Sequence, residues 1–267
     1  MGLGSFIFLF PQLYNCTTIR FSDFTPVTEK LFISPTFKTN HQKVLQRIIK
    51  RAERRVELFY SGKISQPTII VCTDPSEYRR YCNSTEGAGC SLGTPWGSTY
   101  IVLNVQDLNV DVVSHEMSHI ELFTRLGWWQ TTTQIPQWFN EGLALMLDKR
   151  FVTNTDALGR YLDYMDEWLI YTGGGQQILE LEAITSVKDF FGGSEKQVML
   201  GYMTSGLEVS YWLLNSREKG VDRLIQEMKN GKKFKEAYQQ AGKTGGLNSR
   251  LSDIPPNPLR RPSLEVK

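Results

Sequence analysis

The chain has 267 residues, 40% of them hydrophobic and 12% aromatic, with 30 Lys and Arg against 28 Asp and Glu. That length and apolar content suffice for a substantial core, read as one domain of two lobes rather than two independent domains. A formal net charge of +2 leaves no global nucleic-acid footprint, so nucleic acid is excluded as a partner class.

In chain order, residues 3–13 are apolar but too short to span a bilayer, and they lack a basic flank. Residues 1–20 are therefore set apart as the remnant of a signal or anchor, with a buried segment or a mis-assigned start as alternatives. A remnant of that kind carries a membrane association at the N-terminus. Residues 41–60 follow as an amphipathic helix. Lys43, Arg47, Lys50, Arg51, Arg54 and Arg55 line one side, and Leu45, Ile48, Ala52 and Val56 the other. A strand is expected at 67–72, a short helix at 76–81, a Gly/Ser-rich loop at 83–97 and a strand at 98–103. The second half reads as helices at about 109–126, 137–148, 157–171, 195–215, 219–229 and 233–241. Three glycines at 173–175 break that run, and residues 251–267 form a disordered tail. Cys72, Cys82 and Cys90 lie close in sequence, and a bridge within this trio fits an exported protein. No Cys-x-x-Cys pair is present to make a zinc site of them.

The chemistry concentrates in two segments. His115-Glu116-Met117-Ser118-His119 is an H-E-x-x-H pattern, using two of the three histidines in the chain. A spacing of four on a helix puts both imidazoles on one face, one turn apart, where they can grip one metal ion. Val112, Val113, Met117, Ile120 and Phe123 give that helix an apolar face, and Gly127 is a candidate C′ residue after Arg125. The second segment, Pro136-Gln137-Trp138-Phe139-Asn140-Glu141-Gly142-Leu143-Ala144, supplies a carboxylate inside an apolar run, where it is costly unless partnered. Two nitrogens and one carboxylate oxygen with a fourth position open to water suit Zn2+. Glu116 projects beside such a metal rather than at it, the place of a general base. Gly142 leaves room for close backbone approach.

With these motifs the chain resembles the gluzincin zinc metallopeptidases, the superfamily of thermolysin and aminopeptidase N, and especially the small peptidase-MA-like domains. The likeness covers about residues 97–148. It implies His115, His119 and Glu141 as metal ligands and Glu116 as the residue that activates water. Residues 201–206 open a helix that looks like the tyrosine-bearing helix of aminopeptidase-like members, which makes Tyr202 the candidate oxyanion donor. The resemblance also implies that the strand at 97–104 lies at a sheet edge and pairs with substrate, while an ordinary structural strand fits the same residues equally. Two departures stand out. The Gly-x-Met-Glu-Asn segment with which aminopeptidase N captures a free amine is missing here, and the interval between His119 and Glu141 is longer than in that enzyme.

The expected fold is α+β: a mixed N-terminal lobe with a small sheet, at about 21–127, and a helical C-terminal lobe, at about 128–250, with zinc in the cleft. The expected function is a zinc-dependent peptidase, exported and monomeric, acting on peptide or protein substrates with an endopeptidase preference. A zinc-holding scaffold of the same fold without turnover is the alternative. A non-enzymatic domain in which the motif is coincidental is the third class.

Overall fold

The computed structural model describes residues 10–82, 87–216, 219–243 and 254–260. It is α+β: a mixed five-stranded sheet with helices, then a largely helical part. The chain divides into two compact units, one ending at Thr132 and the other beginning at Thr133.

In the first unit the strands β1 (Thr25–Thr28), β2 (Leu31–Ile33), β3 (Thr68–Cys72), β4 (Gly89–Gly93) and β5 (Thr99–Asn104) lie in the order β1-β2-β3-β5-β4. The pairs β2/β3 and β3/β5 are parallel, while β1 and β4 run antiparallel to their neighbours. β2, β3 and β5 are buried at every position. That is why they read as continuous apolar runs rather than alternating ones. Helices α1 (Pro11–Thr17) and α3 (Pro75–Cys82) cover one face through Cys16, Tyr78 and Tyr81, packed with Phe32, Ile70, Tyr100 and Val102. Two further helices, α2 (Gln42–Phe59) and α4 (Val110–Leu126), pack on each other.

α2 buries Leu45, Ala52 and Val56. It leaves Lys43, Arg47, Lys50, Arg51 and Arg54 exposed, as its charge pattern predicts. Arg55 departs from that solvated face and pairs with Asp111 in the first turn of α4. α4 starts where the Asn109 side chain accepts the N–H groups of Asp111 and Val112, and it stops at Gly127. Gly127 has φ +83° and donates its N–H to the Phe123 carbonyl, so a left-handed position ends the helix.

The sheet edge corrects the sequence reading. The strand at 97–104 was expected there, but β5 is interior, flanked by β3 and β4. The edge is β4, within the stretch read as a loop at 83–97, of which residues 83–86 lie outside the described set. Gly-Cys-Ser-Leu-Gly has little strand propensity of its own. Its small residues are needed because the strand lies on α4: a Cβ at Gly93 would meet the Phe123 ring at 2.4 Å. The bridge expected among three cysteines is Cys82–Cys90, which ties α3 to β4. Cys72 and Cys16 are buried thiols, and burial pushes Cys16 up to about 12.

The second unit contains α6 (Gln137–Leu145), α7 (Ala157–Tyr171), α8 (Val187–Phe191), α9 (Glu195–Ser216), α10 (Gly220–Lys229) and α11 (Phe234–Lys243). The division between the units falls inside α5 (Trp128–Gln134), which fills the interval between the helices expected at 109–126 and 137–148. α9 packs on α6 and α7. A Cβ at Gly142 would lie 2.4 Å from Val209 Cγ2 and 2.7 Å from the Ser205 carbonyl, so the expected close approach at Gly142 is the α6–α9 contact. Trp138, Phe139, Trp212, Phe234 and Tyr238 form one edge-to-face and stacked aromatic cluster.

Part of the stretch expected as a disordered tail is placed. The Asn257 side chain is buried and donates to Glu208, Arg260 pairs with the same carboxylate, and Tyr161 donates to the Pro255 carbonyl. The charge of the buried Glu208 calls for these donors, and Tyr238 adds its hydroxyl at 2.6 Å. At the other end, the apolar stretch 3–13 falls largely outside the described residues, but Leu13 and Cys16 of α1 are buried. Among the described residues no helix is long and apolar enough to cross a membrane.

Candidate metal centre

α4 is buried on most of its surface, and His115 and Glu116 belong to that buried part while His119 is half-buried. The two imidazoles stand edge to face with ring centroids 4.9 Å apart, as a spacing of four on one helix face requires. α6 holds Glu141 buried between apolar neighbours, Phe139 and Leu143. Pro136 precedes its first turn, and Gln137 donates its backbone N–H to Thr185 at 2.8 Å.

One donor atom from each of His115, His119 and Glu141 falls within 4.8 Å of the others. Metal–ligand bonds of about 2 Å place donors roughly 3.3 Å apart around a tetrahedral ion, inside that bound. Two imidazole nitrogens and one carboxylate, all drawn from helices and largely shielded from water, are a donor set that a divalent transition metal fits. The arrangement matches a gluzincin-type site.

A second layer surrounds these side chains. Gln137 Nε2 donates to Glu141 Oε1 at 2.6 Å from one helical turn earlier. Such a bond orients a ligating carboxylate and fixes which oxygen is presented. The sequence signal for Gln137 is its i,i+4 spacing to Glu141, which makes the two neighbours on the helix surface. Glu116 accepts a hydrogen bond from the Ser91 hydroxyl, which β4 delivers from the sheet edge. Gly89 lies close by, and a Cβ there would meet Glu116 Cγ at 2.9 Å. Beneath the same strand, the Tyr78 phenol is held protonated by burial first and by the charge of Glu116 second. Nothing in the local sequence flags Ser91; only the register of β4 on β5 reveals it.

Tyr202 sits half-buried in the second turn of α9, its ring 5.2 Å from Phe190, 6.0 Å from Phe151 and 6.2 Å from Phe191. Packing in this aromatic group is its observed environment. His115, His119 and Glu141 are thus brought together as the sequence pattern predicts, and Glu116 stands beside His115 with a partner of its own.

No protein-family model matches the chain, and no curated protein matches it in sequence. The functional reading therefore rests on the site.

Proposed function

We propose that the chain is a zinc-dependent peptidase of the gluzincin type. The single observation that carries this is the convergence of His115, His119 and Glu141, with Glu116 adjacent to the first ligand and outside the ligand set. His115, His119 and Glu141 would hold the zinc, which would supply a water of near-neutral pKa and an electrophile for a peptide carbonyl.

Glu116 takes the proton from the attacking water and delivers it to the leaving amine. Gln137 orients Glu141. The Tyr202 phenol is the proposed donor to the oxyanion. β4 ends the sheet, so its outer main chain offers the hydrogen-bonding groups that an extended peptide pairs with. That contact reads backbone rather than side chains, in keeping with a peptide or protein substrate. An exported location is supported by the Cys82–Cys90 bridge, since such bonds persist in oxidising compartments.

The test joins metal analysis to cleavage of a peptide library with blocked N-termini. The expected result is one zinc per chain and internal cuts in blocked peptides. Release of single residues from free N-termini alone contradicts the endopeptidase preference. Tight zinc with no turnover on any peptide favours the scaffold reading.

A further inference from the structure

The face of β4 that lies on α4 is set by register. Gly89 pairs with Leu103, Ser91 with Ile101 and Gly93 with Thr99, so alternate residues 89, 91 and 93 share one side. Two of the three are glycines, and each is needed: a side chain at 89 would strike Glu116, and one at 93 would strike Phe123. With both neighbours reduced to hydrogen, the strand settles onto the helix. Ser91 is then the one residue of this row that carries a side chain, and its hydroxyl donates to Glu116 Oε2. The opposite face holds Cys90 and Leu92 against the apolar core, and Cys90 is bonded to Cys82 of α3. The strand's depth on α4 is therefore fixed from both sides.

We propose that Ser91 is a positioning residue for Glu116, its hydroxyl holding one carboxylate oxygen so that the other is presented to the attacking water. The proposal rests on the reading of Glu116 as general base and adds to it the group that sets its geometry. A glutamate has three rotatable side-chain bonds, and a buried one without an anchor samples conformers that cannot reach the reacting water. A hydroxyl–carboxylate bond is charge-assisted, and Glu116 is only 8% exposed, so water competes little for it. Among the described residues, Ser91 is the hydrogen-bond partner of this carboxylate.

The experiment compares Ser91→Ala, Ser91→Val and Ser91→Thr with Glu116→Gln in the zinc-loaded full chain. Zinc content, kcat and KM are measured separately on a cleaved peptide. Loss of the hydroxyl in the alanine and valine variants is expected to lower kcat about tenfold with KM and zinc content little changed. Threonine has the shape of valine and restores the hydroxyl, so Ser91→Thr is expected to recover turnover to within about threefold of wild type. A second readout needs no turnover: in denaturant titrations of Ser91→Ala, Glu116→Ala and the double variant, the midpoint shifts should be non-additive. Wild-type kcat in Ser91→Ala, equal kcat in the threonine and valine variants, or additive midpoint shifts would each overturn the assignment of Ser91 while leaving Glu116 as base. If instead Glu116→Gln retains full turnover, the general-base reading itself fails, and the assignment of Ser91 falls with it.

Discussion

Two turns of one helix carry two buried carboxylates with opposite fates. Glu121, near the end of α4, is saturated. It accepts the backbone N–H of Ile64 at 3.0 Å, that of Ser65 at 2.9 Å and the Arg125 guanidinium at 2.8 Å. Arg125 in turn donates to the carbonyls of Tyr60 and Gly62, so the carboxylate stitches residues 60–65 to the helix. Glu116, in the middle of the same helix, takes the single Ser91 hydroxyl among the described residues. A saturated carboxylate is a structural fixture. A sparsely held one beside two histidines leaves an oxygen without a hydrogen bond among the described residues, as the proposed general base needs.

That contrast predicts separable phenotypes. Glu116→Gln should lose about 10²–10⁴-fold in turnover, because general-base catalysis contributes that much, while zinc content and stability stay near wild type. A turnover assay beside metal analysis checks this, and equal activity in the variant would end the mechanism. Glu121→Ala should do the reverse: breaking a buried ion pair costs about 3–5 kcal/mol of unfolding free energy, read by urea titration.

The same carboxylate sets an acid limit. Burial alone would raise the Glu121 carboxyl, but hydrogen bonds from Ser65, Ile64 and Arg125 outweigh it and hold the group below the usual glutamate range. A carboxyl depressed in the folded state contributes stability that is present above its unfolded pKa and lost as pH falls through its folded pKa. Stability measured downwards from pH 5 should therefore fall in wild type, and fall less steeply in Glu121→Ala. Parallel slopes would remove Glu121 as the source.

Much of this was legible in the sequence, and what was not has a common cause. The H-E-x-x-H helix, its end at Gly127 and the role of Gly142 follow from local spacing and backbone sterics. Glu141 stood out because a carboxylate in an apolar run needs a partner. Glu121 did not stand out, since with Arg125 four residues on it reads as an ordinary helix-surface ion pair, and its backbone partner Ser65 is 56 residues upstream. β4 was missed because its glycines are chosen for contact with α4, and that contact is tertiary. The placement of 254–260 depends on Glu208, about 50 residues earlier, which no feature of the tail announces.

The smallest expected effect belongs to Tyr202. Tyr202→Phe should keep zinc and lower kcat by about tenfold or less, because the metal still supports the oxyanion. Unchanged kcat would leave the phenol with its packing role among Phe151, Phe190 and Phe191.

Zinc titration of the wild type beside Glu141→Ala is the decisive test of the proposal that His115, His119 and Glu141 hold one ion. One tightly held zinc per wild-type chain is expected, with affinity weakened by at least about tenfold when the carboxylate is removed. A wild type that takes up no zinc, or a Glu141→Ala chain that binds it with unchanged affinity, would contradict it.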